Sequence, residues 1–307
     1  MMIYTLTMNP CLDLAIKVDD LILAKLNVAS KAVTHPGGKG INVSLVLKHL
    51  GVDNVALGFL GGKTGATILS EVQKEGIRPD FVIIKEENRV NIKVRQNNGT
   101  TTEINSQGPI VISSELIEIY RKLDQIDDGD YLVMSGSVPP SIPHTIYAEI
   151  MQYISFKKIR VVVDSRKDLL KNTLPYHPFL IKPNLLELAE IFGFELDEHG
   201  RMNEENIRDC LNELIDMGAE NVLLSLGVDG AVFFSHKREL YYQPAPKGPV
   251  ESTVGAGDSL IAGFLASYGE NEDIVAALRL GVACGSATSF TEWLATGNDI
   301  KKVLQLF

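Results

Sequence analysis

Short runs of β-branched and apolar residues alternate with longer amphipathic segments along most of the chain, and this alternation restricts the fold more than any other feature. Ile3–Leu6, Val55–Phe59, Tyr131–Met134, Arg160–Val163, Phe179–Ile181 and Asn221–Ser225 read as strands. Several are apolar at consecutive positions, the pattern of strands covered by helices on both faces. Ile41–Leu50, Ala66–Glu75, Ser114–Gln125 and Asn203–Met217 read as helices between them. Gly257–Ser267, Asp273–Phe290 and Asn298–Leu306 make the last third richer in helix. The pattern predicts an α/β three-layer sandwich with a mostly parallel central sheet and right-handed crossovers.

Two stretches interrupt that rhythm. Leu14–Val18 follows the first strand, and Val90–Arg95 and Thr101–Asn105 flank Asn98-Gly99, a hairpin signal. Together they predict a small β-sheet lid, formed by about residues 12–35 and 85–107, on a single domain spanning residues 1–307. A long edge hairpin is the alternative. No repeat, low-complexity tract or Pro/Gly-rich linker marks a second domain.

A net charge of −10 argues against general affinity for nucleic acid or an anionic membrane. An anionic ligand must therefore be held by a local cluster of donors. No apolar run reaches bilayer-spanning length, and the first ten residues lack the basic start of a signal peptide. Cys11, Cys210 and Cys284 lie far apart, and the six histidines show no paired spacing. A disulfide framework and a structural zinc site are disfavoured, and a reducing cytoplasm fits.

Two glycine-rich turns carry the chemistry. Pro36-Gly37-Gly38-Lys39-Gly40-Ile41-Asn42 runs into the apolar segment Val43–Leu50, so backbone N–H groups at a helix start meet a closely approaching ligand. Asn42 adds a side chain able to bond hydroxyls. A bare Gly-Gly-x-Gly is more often only a tight turn. Ser252-Thr253-Val254-Gly255-Ala256-Gly257-Asp258-Ser259 opens a second apolar helix. Its small residues direct several N–H groups at one point, an anion hole, and Asp258 stands where it can take a proton from an attacking hydroxyl. An isolated aspartate there would more often be a helix cap, but a cap does not need Gly-Ala-Gly before it. Phosphoryl transfer needs both devices together.

Lys182-Pro183-Asn184-Leu185-Leu186-Glu187 follows a predicted parallel strand and reads as a capping box. Ligands of open α/β sheets bind at such strand ends. Asn184 and Glu187 can therefore hold a magnesium ion through water, with Lys182 near phosphate oxygens. Gly61-Gly62-Lys63-Thr64 is not a P-loop, since the leading glycine falls on Leu57. Gly38–Val43 is not a dinucleotide fingerprint, since valine stands where its last glycine belongs.

With these features in this order, the chain resembles the ribokinase-like sugar kinases of the phosphofructokinase B family. The resemblance covers nearly the whole length. Thr7-Met8-Asn9-Pro10-Cys11-Leu12-Asp13 is similar to the family's opening strand, ending in a substrate-binding aspartate. Gly37 to Ser44, with Gly51 and Gly61, fits the first family signature. Thr253 to Asp258 fits the second, where the aspartate is the catalytic base, and Lys182–Glu187 fits the magnesium motif. Ser225-Leu226-Gly227 with Gly230 looks like the nucleotide-binding turn.

Asn88-Arg89-Val90-Asn91-Ile92-Lys93 and Thr102-Glu103-Ile104-Asn105 look most like 1-phosphofructokinases, with tagatose-6-phosphate kinases close behind. The resemblance implies that Arg89 binds the substrate phosphate, a role its planar fork suits, with Lys39 and Lys93 as helpers. It gives Ser137 a substrate contact. One departure is that Asn27 is followed by Val28 where relatives carry arginine, which leaves Lys25 as the nearby cation.

The expected reaction is ATP-dependent phosphorylation of a ketohexose monophosphate, D-fructose 1-phosphate to the 1,6-bisphosphate, with D-tagatose 6-phosphate as the alternative. Sugar hydroxyls are expected at Asp13, Gly38 and Asn42. ATP is expected along Ser225, Gly227 and the region of Ala283 and Ser286, with Asp258 as base and Gly255, Ala256 and Gly257 as anion donors. A homodimer through the lid is expected. A catalytically inactive sugar-phosphate-binding regulator is the rival reading, and a nucleotide-binding oxidoreductase stands further off.

Overall fold

The structure, a computed structural model, describes residues 1–307. In chain order its strands are β1 (Ile3–Thr7), β2 (Cys11–Val18), β3 (Lys31–Gly37), β4 (Asn54–Gly61), β5 (Arg78–Pro79), β6 (Val82–Ile84) and β7 (Arg89–Gln96). Then follow β8 (Thr101–Asn105), β9 (Tyr131–Ser135), β10 (Arg160–Asp164), β11 (Leu180–Ile181), β12 (Asn221–Ser225), β13 (Ala231–Ser235) and β14 (Leu240–Gln243).

The large sheet runs β14-β13-β12-β11-β10-β9-β1-β4-β5, with β6 continuing beside β4. It is parallel from β12 to β5, and helices cover both faces. The strand period of two explains the uninterrupted apolar runs. Tyr131, Val133, Val162 and Leu223 enter one core cluster, while their neighbours Leu132, Met134, Val163 and Leu224 enter the other. All six predicted strands of this sheet are present.

Five strands were not legible, two of them the short β5 and β6 beside β4. β13 runs antiparallel to β12 because only the short Gly227–Asp229 turn joins them and no crossover helix fits there, and β14 returns antiparallel to β13. β3 contains lysine, histidine and proline and lacks strand character of its own. It exists as an edge strand paired to β2, where Pro36 is tolerated.

The small sheet has the order β3-β2-β7-β8, with β2 and β7 parallel and both outer pairs antiparallel. Asp13 belongs to this sheet. The sequence suggested that the opening strand runs on to Asp13, but β1 stops at Thr7 and the chain bends through Met8 to Pro10. Pro10 has no N–H to give to a ladder. No helix is long and apolar enough to cross a membrane.

Candidate active site

One cleft of about 1310 Å³ lies where the C-terminal ends of the parallel strands, the small sheet and the helix Ala256–Asn271 meet. That volume exceeds what a single drug-sized ligand fills. Asp13, Arg89 and Lys93 line one end, Ser225, Gly227 and Ser286 the other, and Asp258 lies among the linings between them.

Asp258 sits in the first turn of the helix Ala256–Asn271. Gly255, in the left-handed region at φ 77°, is the N-cap, so the aspartate is not the cap. Its carboxylate is buried and accepts from Asn42 Nδ2 at 2.7 Å. Gly255, Ala256 and Gly257 all border the cleft; only Ala256 spends its N–H inside the turn, on Thr253 O at 3.3 Å. Gly257 has its own reason to be glycine: a Cβ would stand 3.1 Å from Lys182 Nζ.

Burial pushes the Asp258 carboxyl up to about 6; nearby Asp164 adds to the rise, and Lys39, Asn42 and Lys182 oppose it. A general base works only when deprotonated. On this reading kcat/KM is expected to fall about tenfold per pH unit below about pH 6 and to level off above it. A pH–rate profile against a saturating second substrate checks this, and a flat profile down to pH 5 contradicts it.

Two lysines and a second carboxylate lie close enough to Asp258 to act on its charge. Asp164, at the C-terminal end of β10, has a fully buried side chain with Lys39 Nζ at 3.0 Å and Lys182 Nζ at 3.4 Å. Burial alone would raise its pKa, but the two ammonium groups hold it below the usual carboxylate range. Burial would likewise lower Lys39, yet Asp164, Asp258 and Glu187 raise it, so the lysine stays charged. Sequence reasoning missed Asp164. The available signal was a lone acidic residue closing the apolar run Val161–Val163 at a strand's C-terminal end.

At the end of the cleft formed by the small sheet, Asp13 is buried and accepts from Lys93 Nζ at 3.0 Å, Asn91 Nδ2 at 3.1 Å and Cys11 Sγ at 3.3 Å. Gly37 does not line the cleft. A Cβ there would approach Asp13 Oδ2 to 2.7 Å, so its lack of a side chain makes room for that carboxylate. Gly37→Ala is expected to raise the sugar KM about tenfold or more by displacing Asp13, with the nucleotide KM little changed. Initial-rate kinetics on both substrates check it.

Gly38 and Asn42 border the cleft, and Asn42 Oδ1 is buried with no partner. Thr7 Oγ1, Asn9 Oδ1, Ser135 Oγ and Ser165 Oγ are also unpartnered in the cleft wall. Buried polar atoms without a partner are rare in folded proteins, and their gathering here marks the cleft wall as polar. Arg89 is braced on Asn9 O, Asn91 Oδ1 and Ser106 O, with its guanidinium on the cleft wall. Ser137 accepts from Asn9 Nδ2 at 3.5 Å. Asn27 instead closes its own turn through Ile22 and Lys25, and neither Val28 nor Lys25 reaches the cleft.

At the other end Ser225, Gly227, Gly230, Thr253 and Ser286 border the cleft. Ala283 does not. On the helix Ile274–Ser289, the cleft side carries Val282, Gly285, Ser286 and Ser289, while Ala283 points into the core. Asn184 and Glu187 form a reciprocal capping box, Glu187 N donating to Asn184 Oδ1 at 2.8 Å and Asn184 N to Glu187 Oε2 at 3.0 Å. Both also border the cleft.

A family model for the pfkB family carbohydrate kinases matches residues 6–300. The chain belongs to the pfkB family of carbohydrate kinases. Among curated relatives of this pfkB kinase, the 1-phosphofructokinase of Bacillus subtilis is 38% identical over 99% of the chain and 97% of the relative. The D-tagatose-1-phosphate kinase of Bacillus licheniformis is also 38% identical, over 99% and 97%. Of solved structures, Escherichia coli phosphofructokinase-2 in complex with substrates and products superposes with a TM-score of 0.93 at 29% identity, covering 99% of both chains. The kinase activity and the ribokinase-like layered fold expected from the motifs are those of the family.

Proposed function

We propose that this pfkB kinase transfers the γ-phosphoryl group of ATP to the free primary hydroxyl of a ketohexose 1-phosphate, D-fructose 1-phosphate giving D-fructose 1,6-bisphosphate. The observation that carries this reading is one cleft with a braced arginine at its sugar end and a buried carboxylate beside an amide-lined turn at its middle. Arg89 holds the substrate phosphate. Asp13, Asn42 and the backbone at Gly38 hold the sugar, and Ser137 and Lys93 complete that end. Asp258 takes the acceptor proton. The N–H groups at Gly255 and Gly257, with Lys39 and Lys182, stabilise charge on the transferred group, while Ala256 N–H stays with Thr253 O. The nucleotide lies along Ser225, Gly227, Gly230, Thr253 and Ser286.

Asn184 and Glu187 fit a magnesium ion held through water. Both residues border the cleft, yet they are already tied to each other and Glu187 Oε1 lies 3.6 Å from Arg166 Nε, which suits a hydrated ion better than a bare one. When bound, the ion neutralises charge on phosphate oxygens.

D-tagatose 1-phosphate is the second reading, favoured by the relative of that name. It too carries phosphate on C1 and a free hydroxyl on C6, so Arg89 serves both. The tagatose 6-phosphate alternative would need the sugar reversed. A panel of these three substrates with ATP, followed by ADP release, tests the choice; the highest kcat/KM is expected with fructose 1-phosphate. Highest kcat/KM with tagatose 6-phosphate would overturn the assigned orientation. Arg89→Ala is expected to raise the sugar-phosphate KM about a hundredfold, since a charge-assisted fork is worth about 3 kcal/mol, with the ATP KM nearly unchanged.

The small sheet acts as the lid of the sugar end. We place a homodimer contact on it, where β8 is an exposed edge and Ile104 is 56% exposed. Analytical ultracentrifugation of the wild type against Ile104→Lys checks this, with dissociation expected in the variant.

A further inference from the structure

The only tryptophan of the chain, Trp293, follows the helix Ile274–Ser289 and packs on the small sheet, while its neighbours Leu294 and Ala295 reach toward the turn at Gly255. Its ring stacks on His35 of β3, with centroids 4.2 Å apart and planes 10° apart. Lys93 of β7 holds Nζ 5.4 Å from the same ring's centroid. That Nζ is also the one 3.0 Å from Asp13 Oδ2. A single ammonium is thus shared between the carboxylate of the sugar end and the indole face. The flanking ion pairs, Lys31 with Glu292 and Arg95 with Glu251, are too exposed to hold the contact by themselves.

On its other side the segment reaches the anion turn. Leu294 is buried and lies over Gly255, where a Cβ would be 3.7 Å from Leu294 Cγ. Ala295 N donates to Thr288 Oγ1 at 3.1 Å, and Thr288 Oγ1 shares a 2.8 Å hydrogen bond with Ser259 Oγ, the residue after Asp258.

We propose that Trp293 is a positioning residue that couples occupancy of the sugar end to the geometry of the turn Gly255–Gly257. The inference rests on the placement of the sugar phosphate at Asp13 and Arg89 proposed above. A sugar hydroxyl that donates to Asp13 weakens that carboxylate's hold on Lys93. The ammonium then shifts toward the indole, an attraction that strengthens as water leaves. The ring is pressed against His35, and Leu294 is held down on Gly255. The small sheet and the anion turn settle together.

Because no other tryptophan contributes, the intrinsic emission of the intact protein reads this contact directly. Titration with D-fructose 1-phosphate, without nucleotide, is expected to change Trp293 emission saturably and to reduce acrylamide quenching. Trp293→Ala and His35→Ala are each expected to raise the sugar-phosphate KM about tenfold and lower kcat severalfold, with the ATP KM within about twofold and Trp293→Phe recovering most of the loss. His35→Ala keeps the tryptophan and is the variant to read if Trp293→Ala does not fold. ADP release with an emission that saturating sugar phosphate leaves unmoved overturns the coupling alone. Equal KM shifts for both substrates also overturn it, as the residue would then be merely structural. Absence of ADP release with every ketohexose phosphate overturns the proposed function and the coupling with it.

Discussion

Asp258→Asn is expected to lower kcat about a thousandfold while the dissociation constant for D-fructose 1-phosphate stays within about threefold, since a positioned general base contributes 10²–10⁴. Asparagine keeps the shape and can still accept from Asn42 Nδ2, now 2.7 Å from Asp258 Oδ2, but it has no basic oxygen. The fold is expected to gain. Burial has raised the carboxyl from 3.8 to about 6, so the folded state disfavours its ionised form. For such a group stability declines as pH rises from the unfolded value through the folded one and stays lower above it. Removing the charge is therefore expected to raise the melting temperature measured at pH 8. Stopped turnover, retained sugar binding and a higher melting temperature together separate loss of the base from misfolding. Turnover above about a tenth of wild type would remove Asp258 from that role.

Asp164→Ala is expected to have the largest effect on stability. The substitution leaves Lys182, itself buried, and Lys39 without the carboxylate that faces both. Breaking a buried ion pair from one side costs about 3–5 kcal/mol, a large part of a typical domain's stability. Activity is expected to fall about a hundredfold as well, because both lysines line the cleft and their ammonium groups lose their fixed positions. The sign with pH is opposite to that of Asp258. Asp164 is held below the usual carboxylate range, so its contribution is full above that range and is lost as pH falls through the depressed value. Urea denaturation is thus expected to show a wide gap between wild type and variant at pH 8 and a narrow one only in strong acid. Equal unfolding midpoints at pH 8 would show that the two lysines do not depend on this carboxylate.

The parts of the site that lay in contiguous motifs were readable before any coordinates. Gly255–Asp258 and Gly38–Asn42 stand out because glycines and a polar residue at fixed spacing mark a helix start open to a ligand, and both helix starts border the cleft. The central sheet was readable for a similar reason, since strands buried on both faces carry unbroken apolar runs. What escaped depends on pairing in space. β3 is a strand only because β2 offers it a ladder, and β13 turns back because Gly227–Gly230 leaves no room for a helix. Asp164 became a site residue only when β10 delivered it between lysines from two distant helix starts. Ala283 went wrong for a smaller reason: the helix Ile274–Ser289 was placed correctly at the cleft, but the face it presents is set by packing against the helix Ala256–Asn271.

The most direct test of phosphoryl transfer to the ketohexose phosphate is ³¹P NMR of the wild-type protein with ATP, magnesium and D-fructose 1-phosphate. The predicted result is loss of the γ-phosphate signal matched one for one by ADP and a new phosphomonoester on C6 of the sugar. Unchanged ATP, or inorganic phosphate appearing in place of the sugar bisphosphate, would contradict it.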